Sequence, residues 1–198
     1  MSYNFFATIS RMKYIQRWAL MRNSRPENLS EHSLEVAMIA HALCTIGNVR
    51  YGRKLDGEKA ALISLYHDAS EIITGDMPTP VKYFNRDIRD AYKEVEEKAE
   101  DRLLSQLPDD LRPEYERIFR MDADGEEQYM RELVKAADKI SAMIKCIAEE
   151  TSGNAEFRTA QQTIETALEE MKATHPEVRD FINEFVEPYG NTLDELLS

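Results

Sequence analysis

Cysteine is nearly absent from this chain: Cys44 and Cys146 are its only two among 198 residues. Two thiols do not build a disulfide framework. Both fall in apolar helical patterns, so buried free thiols in a reducing cytoplasm are expected. No apolar run approaches the roughly 20 residues of a membrane span. No N-terminal stretch has the apolar core and small-residue cleavage site of a secretory signal. Glycine and proline number seven each, too few for a disordered or low-complexity chain. Positive charge is also short, with 25 Lys and Arg against 37 Asp and Glu and a net charge of -12. A field of that sign opposes binding to a nucleic-acid polymer, but it leaves room for a small anionic substrate wherever local charge differs from the total.

Local charge does differ. Residues 1–26 carry Arg11, Lys13, Arg17, Arg22 and Arg25 and no Asp or Glu. Such a segment is able to meet a phosphate, or to form a helix with a solvated basic face. An Arg-rich, acid-poor N-terminus also occurs in transit peptides, but here it carries a core-like stripe of Phe5, Ile9, Met12, Ile15 and Ala19 and runs on to Trp18.

Alternating strand patterns and Asn-Gly hairpin signals are missing, and almost every segment has a helical period. Helices are expected over 3–21, over 30–46 from an N-cap at Ser30 to a stop at Gly47-Asn48, and over 58–73 from a cap at Asp56. Asp76-Met77-Pro78-Thr79-Pro80 excludes helix. A helix over 85–107 follows, with Ile88, Tyr92, Val95, Ala99 and Leu103 as its stripe. A shorter helix ends near Met121, and an acidic turn spans Asp122 to Gly125. Further helices are expected over 126–151, 155–173, 176–187 and 192–197. No repeat or linker divides the chain, so residues 1–198 are expected to form one all-α domain of packed helices.

Histidine is scarce as well, at four residues, and two of them stand in informative places. His32 lies in Ser30-Glu31-His32-Ser33, and His67 lies in Tyr66-His67-Asp68-Ala69-Ser70-Glu71. With Asp138 they make the pattern His … His-Asp … Asp. Two imidazoles and two carboxylates suit a divalent metal. Helical phase supports convergence. His32 shares a face with Val36, Ile39 and Leu43, His67 follows Ala60 and Ile63, and Asp138 edges the apolar stripe of its helix. A carboxylate in that position is costly unless paired or metal-bound. His41 is about half a turn out of phase with His32 and should face away. His175, before Pro176, is expected to be an exposed helix-start residue. Hydrogen-bonded core histidines with capping aspartates are the bland alternative.

On these residues the chain resembles the HD superfamily of metal-dependent phosphohydrolases. Gln16-Arg17-Trp18, Met21-Arg22-Asn23, Asn28 to Ser33, His67 to Glu71 and Gly75 to Lys82 make it similar, more closely, to the bacterial 5'-deoxynucleotidases of the YfbR type. The likeness covers nearly the whole chain and is densest in residues 5–85. It implies an HD-type helical bundle, hydrolysis of 2'-deoxynucleoside 5'-monophosphates, a divalent metal such as Co²⁺ or Mn²⁺, and a homodimer. It places the metal between His32, His67, Asp68 and Asp138. It also counts Arg17, Trp18, His32, Asp68, Asp76, Thr79, Lys82 and Asp138 among the substrate contacts.

Glu71 is one turn beyond His67, so it is a candidate to orient or deprotonate the attacking water. Asp76 is a candidate to hold a proton for the leaving oxygen or to bond the sugar. Trp18 is a candidate steric gate against a 2'-hydroxyl. Another HD phosphohydrolase activity, or a non-catalytic metal-binding helical scaffold, are the competing readings.

Overall fold

The N-terminal apolar stripe does not become one helix. In the computed structural model, which describes residues 2–82, 84–120 and 125–198, α1 covers Phe5–Ile9, a 3₁₀ turn covers Ser10–Tyr14, and the backbone is extended at Ile15. Phe5 and Met12 are buried as expected, but Ala19 is exposed. The expected helix over 3–21 is thus wrong beyond Tyr14. In its place β1 (Gln16–Arg17) pairs antiparallel with β2 (Glu27–Asn28), Arg17 opposite Glu27. The cause is tertiary. Ile15 O accepts from Leu29 N at 3.0 Å, and the Arg17 guanidinium meets the Glu27 carboxylate at 3.1 Å. A two-residue ribbon has no alternation for a sequence reading to detect.

α2 (Leu29–Tyr51) begins at Asn28 rather than at Ser30. The Asn28 side chain accepts from the amides of Ser30 and Glu31, and Glu31 Oε2 accepts from Asn28 N, which satisfies orphan donors reciprocally. α2 also runs five residues past its expected end and stops at Gly52, whose φ of 66° is the left-handed conformation glycine adopts freely. Gly47 sits inside the helix for a different reason. A Cβ there would lie 2.9 Å from Glu177 Oε1, so the missing side chain lets a later helix approach closely.

α3 (Gly57–Tyr66) starts from the Asp56 cap, as expected. It ends early, because the His67 ring takes the Ser64 carbonyl at 2.7 Å and the chain tightens through i−3 hydrogen bonds over residues 67–70. α4 (Glu71–Thr74) then stops at Gly75, and α5 (Thr79–Lys82) is a single turn that takes in Thr79 and Pro80, where no helix was expected, because a proline in the first turn forgoes no helical hydrogen bond. α6 is Arg86–Leu104 and α7 is Arg112–Phe119. On α6, Tyr92, Ala99 and Leu103 are buried, whereas Ile88 and Val95 are exposed, against the expected stripe. Met121 and the turn at residues 122–124 lie outside the described residues.

α8 (Gly125–Thr151) packs along α2. A 3₁₀ turn (Ala155–Phe157) leads to α9 (Arg158–Thr174) and α10 (Pro176–Phe181). A π turn over Ile182–Val186, a 3₁₀ turn over Glu187–Gly190 and α11 (Leu193–Leu196) complete the chain. His175 caps α10 but is buried, not exposed. It contacts Glu132 at 3.1 Å and lies against the Tyr129 ring.

The main core joins Leu43 of α2, Ile63 of α3, Leu133 and Ile140 of α8, Leu168 of α9 and Val178 of α10. A second cluster gathers Phe5, Ala69, Leu103 and Leu107 beneath Tyr66 and Tyr115. Cys44 and Cys146 are buried free thiols. Among the described residues no helix is long and apolar enough to cross a membrane. Replacing Asn28→Ala should cost about 1 kcal/mol, read as a fall in thermal midpoint of roughly 2–4 °C.

Candidate metal centre and active site

The α2 cap places the first candidate ligand. With Asn28 at the N-cap, His32 falls in the second turn on the buried face and is fully enclosed. His67 closes α3, Asp68 follows it in the tightened turn, and Asp138 projects from the middle of α8. His32 Nε2 lies 3.0 Å from Asp138 Oδ1 and 3.6 Å from Asp68 Oδ2. His67 Nε2 lies 3.2 Å from Asp68 Oδ2 and 4.0 Å from Asp138 Oδ1. Donors about 2.1 Å from one shared ion would stand roughly 3–4 Å apart. His32, His67 and Asp68 therefore have the spacing of a single metal site, and Asp138 borders it through its 3.0 Å contact with His32.

Hydrogen bonds behind the rings assign the tautomers. His67 Nδ1 donates to the Ser64 carbonyl. His32 Nδ1 faces Ser141 Oγ at 3.0 Å, and Ser141 donates onward to Glu35 Oε2 at 2.6 Å, so the Ser141 oxygen accepts from the ring. Both Nε2 atoms then face the carboxylates, in the orientation a metal would need to take the place of a proton there. His67 Nε2 is buried and makes no hydrogen bond. A buried ring nitrogen beside two carboxylates fits a divalent cation that would displace its proton.

The charges of the cluster are strongly coupled. Burial disfavours a protonated His67, yet Asp68, Asp138 and the Ser64 carbonyl outweigh it and raise the ring to about 9. Burial also opposes ionisation of Asp138, but the His32 hydrogen bond and the charges of His67 and Arg17 hold it well below the usual carboxylate range. Arg17 enters through the ribbon, 3.1 Å from Glu27 and 3.9 Å from Asp138 Oδ1. Of the five basic N-terminal residues, Arg17 is the one that contacts this cluster. Arg22 pairs with Glu156 and Arg25 with Glu31, while Arg11 and Lys13 lie against the Tyr14 ring.

Glu71 is buried at the start of α4, with Oε2 lacking a hydrogen-bond partner. Burial first, then Asp68 and Asp76, push its carboxyl up to about 9, against the opposing charges of Lys82 and Arg17. Asp76 Oδ2 accepts from Trp18 N at 2.9 Å, and burial raises this carboxyl too. The Trp18 ring packs edge-on to Phe157, beneath the Arg17 guanidinium. Lys82 pairs with Glu96 at 2.6 Å over the Tyr92 ring, and Thr79 is exposed on α5. His41 faces solvent. A cavity of about 260 Å³ opens beside His67 and Asp138, walled by Tyr66, Phe119, Arg131 and Lys135.

A family model described as 5'-deoxynucleotidase YfbR-like matches residues 4–189. The chain belongs to the YfbR-like family. A 5'-deoxynucleotidase YfbR from Salmonella newport is 46% identical over 193 residues, covering 98% of this chain and 95% of that one. In fold, the chain is similar to an HD-domain phosphohydrolase from Listeria innocua, with a TM-score of 0.80 at 22% identity over 98% of this chain and 92% of the other. It is also similar to a cyanophage S-2L HD phosphohydrolase bound to dA and one catalytic Zn²⁺, with a TM-score of 0.67 at 20% identity over 97% and 100%.

Within this YfbR-like chain, sequence reasoning missed the groups behind the cluster: Glu27, Glu35, Ser64 and Ser141. Two had a usable signal. Glu35 stands three residues after His32 and Ser141 three after Asp138, the helical spacing that stacks side chains on one face. Glu27 had none, since the strand that presents it was unforeseen. Ser141→Ala should weaken divalent-metal binding about 10- to 100-fold, read by titration calorimetry. His67 keeps its proton up to about 9, which stabilises the metal-free fold below the free-imidazole value of about 6.5 and is lost as pH rises through 9. A cation competes with that proton, so affinity should climb across the same window.

Proposed function

We propose that this chain is a metal-dependent 5'-deoxynucleotidase that hydrolyses 2'-deoxynucleoside 5'-monophosphates to deoxynucleoside and phosphate. The observation that carries this reading is the meeting of two oriented imidazoles and two carboxylates beside Arg17 and Glu71, in a chain of the YfbR-like family. His32, His67, Asp68 and Asp138 are the residues that hold the metal. Their imidazole and carboxylate donors favour a transition metal such as Co²⁺ or Mn²⁺. A bound cation supplies a lowered water pKa and offsets phosphoryl charge.

The chain's own residues account for the remaining steps. Arg17, held by Glu27 at the edge of the cluster, binds and orients the phosphate. A water attacks phosphorus, and Glu71 Oε2, unpartnered and ionised once the charge of a bound cation offsets that of Asp68, would take its proton. As the bond from phosphorus to the 5'-oxygen breaks, Asp76 delivers a proton to that oxygen. The Trp18 amide occupies Asp76 Oδ2, and Oδ1 makes no hydrogen bond among the described residues. Trp18 crowds the 2' position and rejects a hydroxyl there, while Thr79 and Lys82 line the sugar side. His32, Asp68 and Asp138 also approach the phosphate through the site they share.

We further read residues 1–198 as one catalytic domain that acts in the cytoplasm as a homodimer. Two buried free thiols suit a reducing compartment. Leu34 and Met38 of α2, with Leu62 and Leu65 of α3, leave apolar side chains exposed for a second copy. A phosphate-release panel of deoxy- and ribonucleoside monophosphates across Co²⁺, Mn²⁺, Zn²⁺ and Mg²⁺ tests the reading. Release from deoxynucleotides with Co²⁺ or Mn²⁺, abolished by chelator, is expected; no release with any metal would favour a scaffold. Glu71→Gln should lower kcat by about 100-fold or more with metal content unchanged. Trp18→Ala should relax the deoxyribose preference, and equal discrimination by mutant and parent would sink the gate.

A further inference from the structure

Trp18 has a φ of 58°, the one left-handed non-glycine among the described residues. A bulky residue there is strained and persists only where its surroundings hold it. Neighbouring side chains hold it in place. Asp76 takes the Trp18 amide, and Asn23 Nδ2 donates to the carbonyls of Trp18 at 3.1 Å and Met21 at 2.9 Å. The far end of this strap, residues 22–25, is tied to α8. Glu149, 1% exposed, accepts from Ser24 N at 2.8 Å, Arg25 N at 3.3 Å and Asn154 Nδ2 at 2.7 Å. Asn154 Nδ2 also donates to Arg22 O at 2.7 Å, and Lys145 donates to Arg25 O and to Glu149. Lys145 lies over the Phe157 ring, and that ring is the edge partner of Trp18.

Asp138, Ser141, Lys145 and Glu149 recur at intervals of three, four and four residues, so they occupy one face of α8. Glu149 is three turns beyond Asp138, roughly 16 Å along a rigid axis. One helix thus carries a candidate metal ligand at one point and the strap's anchor at another. We infer that Glu149, with Asn154 as its partner, is a positioning residue that fixes the Trp18 indole relative to the metal centre and so sets discrimination between deoxyribose and ribose. The link to discrimination rests on the reading of Trp18 as the sugar gate; the anchoring stands on geometry alone. Burial by itself would raise the Glu149 carboxyl, but the donors from Lys145, Ser24 and Asn154 bring it down to about 2. The anchor is therefore a charged hub across the working pH range.

Trp18 is the only tryptophan, so its fluorescence reports on this strap without reference to activity. The variants are Glu149→Gln and Asn154→Ala. The second removes one contact to the strap, at Arg22 O, and one to the anchor, at Glu149, together with the cap on Glu156 N, and serves if the first fails to fold. With far-UV dichroism unchanged, acrylamide quenching of Trp18 should rise, and the ratio of kcat/KM for deoxy- over ribonucleoside monophosphate should fall about tenfold. Parental quenching in the folded variants would overturn the anchoring. Increased quenching with a parental ratio, while Trp18→Ala lowers that ratio, would overturn the link to discrimination. A parental ratio in Trp18→Ala itself would overturn the gate reading and leave the anchoring to stand on quenching.

Discussion

Asp68 and Asp138 bring two carboxylates against two imidazoles where α2, α3 and α8 meet, and much of the surrounding structure exists to make that arrangement tolerable. Removing several charges from water costs more than their mutual attraction returns unless each remaining lone pair and proton has a partner. The partners come from separate elements. Ser64 of α3 holds one ring, Ser141 of α8 holds the other and passes its own hydrogen to Glu35 of α2, and Arg17 arrives from the ribbon. No candidate ligand is oriented by its own helix alone, except His67, whose ring takes a carbonyl one turn earlier. A shift of any helix would therefore leave a buried polar group unsatisfied.

The same requirement explains the irregular parts of the fold. The ribbon interrupts an apolar stripe that suits a helix, and in doing so it turns Arg17 toward Glu27 and Asp138 and Trp18 toward Asp76. The break after Tyr66 lets His67 use the Ser64 carbonyl. It also sends Glu71 into a separate short helix, close enough for the charges of Asp68 and Asp76 to act on it. In each case a strong polar contact accompanies the break in regular structure, and the irregular segment is the one that carries candidate site residues. Strain follows the same distribution: the left-handed non-glycine among the described residues is Trp18, beside the centre rather than in the hydrophobic clusters.

Period and phase were enough to read most helices and to foresee which faces of α2, α3 and α8 point inward. His32 and His67 were legible because each stands in register with apolar neighbours, and His41 because it does not. His175 was misread for want of a partner in the local pattern: it is buried by Tyr129 and Glu132, more than forty positions earlier in the chain. Gly47 was misread as a stop signal, since a helical glycine that admits Glu177 looks the same in sequence as one that ends a helix. Ile88 and Val95 were assigned to a buried face because periodicity gives the width of an apolar stripe and not how far the neighbours extend over it.

By itself, the sequence determined the all-helical class, the inward phase of the two histidines, the spacing of His-Asp against a distant His and Asp, and a family likeness dense in the first 85 residues. These are local or additive properties: the 3.6-residue period, the residue types and their order. Only the tertiary structure decided which nitrogen of each ring faces the carboxylates, how Arg17 and Trp18 reach the centre, and how a buried glutamate three turns from Asp138 holds the strap that carries them. Those outcomes depend on partners remote along the chain, and they arise because a polar group in the interior must be satisfied by whatever the fold brings within hydrogen-bonding distance.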